Sequence, residues 1–113
     1  MYVRSISFRA RPGVTAQQAS VIYHELTTIV SEADGYLGST FMMNAETRQA
    51  ISLTFWRDRE SGAAAGPKVL PMLLVKVRQL VIGPPEINGY DVIEQSFSLA
   101  DLPVAAEGDA GSP

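Results

Sequence analysis

Ser39–Arg57 reads STFMMNAETRQAISLTFWR, two β-type runs around a polar turn. Only Ala45–Thr47 separates Ser39–Asn44 from Arg48–Arg57, and runs that close pair as an antiparallel hairpin. In the second run Ile51, Leu53 and Phe55 share one face, and Ser52, Thr54 and Trp56 share the other. Bulky groups thus stand on both sides of this strand. A sheet that is apolar on both sides has to bury both.

On the N-terminal side, Tyr2–Ala10 has a period of two: Tyr2, Ile6 and Phe8 against Val3, Ser5 and Ser7. It reads as a strand closed by Pro12-Gly13. Thr15 followed by Gln18 is a capping-box pattern, which starts a helix. Ala19, Ile22, Tyr23, Leu26, Ile29, Val30 and Ala33 then fall on one helical face, and Asp34-Gly35 is the stop. On the C-terminal side, residues 59–82 are helical in tendency but interrupted. SGAAAG is expected to form a short turn, with a second helix beginning at Pro67 and Pro71 confined to its first turn. Leu70, Leu73, Leu74, Val77, Leu80 and Val81 make its apolar stripe, although Val75–Ile82 can also be read as a strand. Gly83-Pro84-Pro85 ends the segment, and Glu86–Gln95 is the last strand.

The order β-α-β-β-α-β predicts an α+β, ferredoxin-like fold: a four-stranded antiparallel sheet with both helices on one side. No residues remain to cover the other side, so a second copy is expected there, making a homodimer packed sheet against sheet. Residues 1–96 form the domain and 97–113 a tail. Its last ten residues, VAAEGDAGSP, are expected to be flexible.

Composition removes several function classes. The 113 residues are 46% apolar and 19% charged, which suits one globular domain. There is no Cys, which excludes thiolate zinc sites, disulfides and a nucleophilic thiol, and the single histidine, His24, excludes a multi-His metal site. Residues 1–100 carry nine acids and nine bases, and the excess comes from Asp101, Glu107 and Asp109. Without a run of cations, nucleic acid is a poor partner. No apolar stretch is long enough to span a membrane, and the N-terminus lacks the apolar core of a signal peptide. The expected location is cytoplasmic.

Ala33–Ser39, ADGYLGS, resembles the "PGYLGS" element that ends the first helix in the antibiotic biosynthesis monooxygenase family. Leu53–Asp58, LTFWRD, resembles that family's "hxxFWxS" strand end, and Gly83-Pro84-Pro85 before the last strand is similar too. The resemblance covers residues 2–96 and implies a dimeric α+β barrel with a small-molecule cavity between sheet and helices. It implies cofactor-independent oxygenation of an electron-rich aromatic polyketide or quinol-type substrate. Once deprotonated, such a substrate can itself give an electron to oxygen, so the protein needs a dry pocket, help with deprotonation and donors for an oxyanion. No cofactor or metal is expected. A haem-degrading branch of the family uses Asn on the first strand and Trp and His on the second helix. This chain has Ser5 and Ser7 on the first strand and neither Trp nor His after Trp56.

The candidate catalytic residues are Trp56, Ser7 and Thr54. An indole at a strand edge can wall a pocket and donate one hydrogen bond, though it can equally be a packing anchor. Ser5, Ser7, Ser52 and Thr54 are expected on the face of Trp56, where hydroxyls could orient phenolic oxygens or wet a dimer interface. Tyr23, Tyr36, Arg4, Asn44 and Leu73 are candidate substrate-binding residues. An inward Arg4 could hold an anion or pair with Asp91, and Asn44 also suits a hairpin turn. His24, the obvious base, falls on the solvent side of the first helix. The alternative function is a non-catalytic dimeric module that binds a small hydrophobic ligand or serves as an accessory protein.

Overall fold

A computed structural model describes residues 1–98. Its elements are β1 (Tyr2–Ala10), α1 (Ala16–Val30), β2 (Tyr36–Met43), β3 (Gln49–Trp56), α2 (Arg59–Val77) and β4 (Val81–Asp91). All strand pairings are antiparallel, in the order β2-β3-β1-β4. The ferredoxin-like α+β architecture is therefore as expected. The expected flexible stretch at 104–113 lies outside the described residues.

Local signals account for the first half. Thr15 Oγ accepts from the Gln18 backbone at 3.1 Å, and Gln18 Oε1 accepts from the Thr15 backbone at 2.9 Å, so the capping box forms. α1 ends at Val30, earlier than Asp34-Gly35, but Ala33 still packs inward. At the hairpin turn Asn44 Oδ1 accepts the backbone N–H groups of Glu46 and Thr47.

The second half departs from expectation. α2 is one continuous 19-residue helix that contains Pro67 and Pro71. Each proline leaves a carbonyl one turn back without its donor. Ala63, Pro67, Pro71 and Val75 recur every fourth residue and are all exposed, so this stripe faces water, which can take up the lost bonds. SGAAAG is helix rather than turn. A Cβ on Gly62 would stand 3.0 Å from the Tyr2 ring and 3.3 Å from Trp56 Cδ1, and one on Gly66 2.9 Å from an Arg4 terminal nitrogen. The two glycines, one turn apart, notch the helix over β1. β4 begins at Val81, before Gly83-Pro84-Pro85, and absorbs those residues in an irregularity opposite Ser7–Arg9, with Gly83 at φ 76°. An edge strand tolerates prolines there because they need not donate to a neighbour.

Asp58 caps α2 by accepting from the Ser61 backbone N–H at 2.8 Å and also meets Arg57 Nε at 3.2 Å. The Ser61 bonds first, then Arg57, hold the Asp58 carboxyl below its ordinary value. A lowered carboxyl stabilises the fold above its unfolded value, about 3.9, and stops doing so as pH falls through the folded one. Asp58→Asn keeps a capping oxygen without the charge. Thermal melts across acid pH are expected to show the wild type ahead of this variant near neutrality, the lead vanishing below the carboxylate range. A pH-independent gap would contradict this.

Under the helices the core runs through Ile6, Phe8, Ala19, Leu26, Ala50, Leu73, Val77, Leu80 and Val81. A second cluster, Tyr2, Val30, Trp56 and Ala65, closes the other end of the layer.

Candidate functional site

The register decides which side chains meet. Tyr2 pairs with Trp56, Arg4 with Thr54 and Ile6 with Ser52; Ser39 pairs with Thr54 and Phe41 with Ser52. Directly opposed residues point to the same face. A row Ser39–Thr54–Arg4 therefore crosses the helix side of the sheet, between an aromatic row (Tyr36, Trp56, Tyr2) and a row of Phe41, Ser52 and Ile6. Above it α1 delivers Tyr23, whose hydroxyl lies 2.6 Å from Ser39 Oγ; the Tyr36 hydroxyl lies 2.9 Å from the same oxygen. The Tyr23 ring stacks on Phe41 at 5.4 Å, and Tyr36 meets Trp56 edge-on at 5.9 Å. Burial pushes the Tyr36 phenol above its ordinary value, against the pull of the Ser39 hydrogen bond. At neutral pH it stays protonated and is not a base.

Two donors in this layer have no acceptor. Arg4 Nε and Trp56 Nε1 are buried without a hydrogen-bond partner, Trp56 being only 3% exposed. The Arg4 guanidinium joins none of the ion pairs among the described residues. Both donors lie beneath the Gly62–Gly66 notch of α2. Natural proteins leave few such groups unpaired, so both donors stand out in this layer.

Two hollows flank the row. An open groove of about 560 Å³ runs between α1 and α2, lined by Ile29, Ala33, Ala64, Ala65 and Val69 among others. Ala33, Ala65 and Val69 also pack on the Trp56 cluster, so the groove floor is the roof of the aromatic row. Its rim carries Glu32, Asp34, Asp58 and Glu60 against Arg57 and Lys68. Arg57 is committed within it, 3.0 Å from Asp34, 3.2 Å from Asp58 and 3.1 Å from Ser61 Oγ. Below, a cleft of about 30 Å³ lies among Tyr23, Phe41, Ser52 and Leu73. Among the described residues no three of His, Asp and Glu cluster as metal ligands would.

Trp56, Thr54, Tyr23, Tyr36, Arg4 and Leu73 thus all face the layer between sheet and helices. Ser7 does not. Ser5 pairs with Leu53 and Ser7 with Ile51, which places both serines on the open face, away from Trp56. The offset between two strands more than forty residues apart cannot be read from either strand alone. Asn44 belongs to the hairpin turn, where it is exposed, and lies outside the site. Arg4 does not pair with Asp91, which Arg59 holds at 2.7 Å. His24 is exposed, as its helical angle predicts. Ser39 went unrecognised as a member of the site; its alternation with Phe41 and Met43 was the available signal.

No family model matches the chain, and no curated protein sequence matches it. Solved structures do. SnoaB, a cofactor-independent oxygenase from Streptomyces nogalater, superposes with a TM-score of 0.64 at 13% identity, over 84% of this chain and 95% of that one. Rv0793 from Mycobacterium tuberculosis gives 0.65 at 17% identity, over 86% and 100%. A candidate antibiotic biosynthesis monooxygenase from Deinococcus radiodurans gives 0.68 at 13% identity, over 88% and 99%. At such identities the likeness is one of fold: the chain has the ferredoxin-like α+β fold of antibiotic biosynthesis monooxygenases.

Proposed function

We propose that this protein is a cofactor-independent oxygenase of electron-rich aromatic molecules, polyketide phenols or quinols, working as a homodimer. The observation that carries the proposal is the polar row of Ser39, Thr54 and Arg4 beside the aromatic pair Tyr36 and Trp56, in the layer between sheet and helices. The fold shared with SnoaB supports the same reading. In this role Trp56 walls the pocket and donates its N–H, Thr54 orients a substrate oxygen, and Tyr23 and Tyr36 hold the ring through Ser39. Oxidation of a ring methylene to a carbonyl by one O2 releases one water, so the reaction balances without an external reductant.

A second reading, a non-catalytic dimeric module for a small hydrophobic ligand, is favoured by the inner cleft. At about 30 Å³ it has the space of roughly one water and must open to admit an aromatic ring. Oxygen uptake with a dihydroxynaphthalene, measured over the protein-free rate, separates the two. Trp56→Phe keeps the ring packing and removes only the N–H. Uptake is expected to fall about 10²-fold in Trp56→Phe, in line with loss of one preorganised donor, and to persist in His24→Ala. No uptake by the wild type alongside ligand binding would leave the module.

A further inference from the structure

We infer that the small cleft among Tyr23, Phe41, Ser52 and Leu73 is a binding site for molecular oxygen, one step along the sheet from the polar row. The inference rests on the oxygenase reading above and deepens it, because it gives the second reactant a place of its own.

The cleft exists because two small residues stand among large ones. Ala19 on α1 and Ser52 on β3 line it together with Ile6, Phe8, Leu26 and Leu73. Ala19 opens the α1 face that continues through Ile22, Tyr23 and Leu26, and its methyl is the shortest side chain of the four.

Size and polarity then choose the occupant. About 30 Å³ is too little for an aromatic ring and enough for a molecule of two atoms. Apart from Tyr23 and Ser52, every lining side chain is hydrocarbon. A buried water holds its place through about three hydrogen bonds. The Tyr23 hydroxyl is already engaged with Ser39, which leaves the Ser52 hydroxyl as the uncommitted partner in this lining. The cleft is therefore a poor site for water. Dioxygen has no dipole and needs no hydrogen bond, so it gains by leaving water for such walls.

The neighbours make this position useful. On one face of the sheet Phe41 follows Ser39, Ser52 precedes Thr54, and Ile6 follows Arg4, each by two residues. Two residues along a strand span about 6–7 Å. Oxygen in the cleft thus lies beside a ring held at Ser39 and Thr54. Tyr23 joins the two places: its ring stacks on Phe41 at the cleft, and its hydroxyl reaches Ser39 in the row.

Molecular oxygen is paramagnetic and speeds the relaxation of the methyl protons it approaches, which reads its position without any turnover. Methyl NMR spectra of the full chain are compared under oxygen and under nitrogen pressure. The methyls of Leu26, Leu73 and Val77 line the cleft, and those of Val30 and Ala10 are as deeply buried but lie outside it. The first group is expected to gain more relaxation under oxygen than the second. Ala19→Val adds two carbons to the cleft and is expected to abolish that excess. Should this variant not fold, the wild type decides by itself, because the comparison of the two groups needs no substitution.

Equal relaxation in the two groups overturns the inference, as does an excess that Ala19→Val retains. Oxygen uptake with the dihydroxynaphthalene separates the two readings. Uptake without the excess sinks the oxygen site and leaves the oxygenase; the excess without uptake does the reverse.

Discussion

Gly35→Ala is expected to cost about 2–5 kcal/mol of folding stability and more than about 10 °C of melting temperature. Two independent costs add. Gly35 sits at φ 85°, where a side chain strains the backbone by about 1–2 kcal/mol. A Cβ there would also overlap the Ser61 side chain on the first turn of α2, and forcing apart two packed groups costs about 1–3 kcal/mol more. Neither group moves easily. Gly35 O accepts from the Arg57 backbone N–H at 2.7 Å, which ties the turn to the end of β3, and Ser61 Oγ accepts from the Arg57 side chain. A double-mutant cycle with Ser61→Gly tests the division. Ser61→Gly should hurt the wild type more than it hurts Gly35→Ala, because in the latter it also removes the overlap. Denaturant unfolding reads both variants. Equal effects would mean that Gly35 is kept for its backbone alone.

The second large effect concerns the open side of the sheet. Val3, Ile51, Leu53 and Phe55 line that face with Met42 and Tyr90, the last two 46% and 53% exposed. Ser5, Ser7 and Thr40 lie among them, and Gln49, Glu86 and Asn88 stand toward the margin. A contiguous apolar centre with a polar border is the surface of a protein that pairs with something. The proposed homodimer occupies it. Leu53→Asp puts a charge in the centre of β3, where a two-fold partner would bury it twice. Sedimentation is expected to give twice the 12.2 kDa chain mass for the wild type and the single mass for the variant. Circular dichroism should show that the variant keeps its secondary structure, since the helix-side core is untouched. A monomeric wild type would remove the dimer from the proposal.

How much of this was legible in the sequence depended on range. β1, the capping box at Thr15 and the hairpin around Asn44 are set by residues within a few positions of one another, and period and turn chemistry were enough. The site is not local. Ser5 and Ser7 look identical in pattern whichever partner β1 meets, and a single step of register exchanges the faces. α2 misled for a different reason. Its glycines and prolines carry poor helix propensity, yet here the glycines notch the helix over Tyr2 and Arg4 while the prolines line its wet side. Tertiary packing overrode propensity. Arg4 was recognisable as an inward cation from alternation alone, but its lack of a partner is visible only once every neighbour is in place.

The break in β4 has a consequence for how copies of this chain can meet. An edge strand offers free backbone groups to any passing strand, the usual start of runaway β association. At Gly83-Pro84-Pro85 the β4 edge has two positions with no N–H and a bulge that twists it out of line. Growth by adding strand after strand is blocked along that stretch. Besides the other edge, β2, what remains inviting is the flat face, which a face-to-face pair covers on both copies at once. The same three residues that look like a simple stop in the sequence thus favour a closed pair over an open fibre.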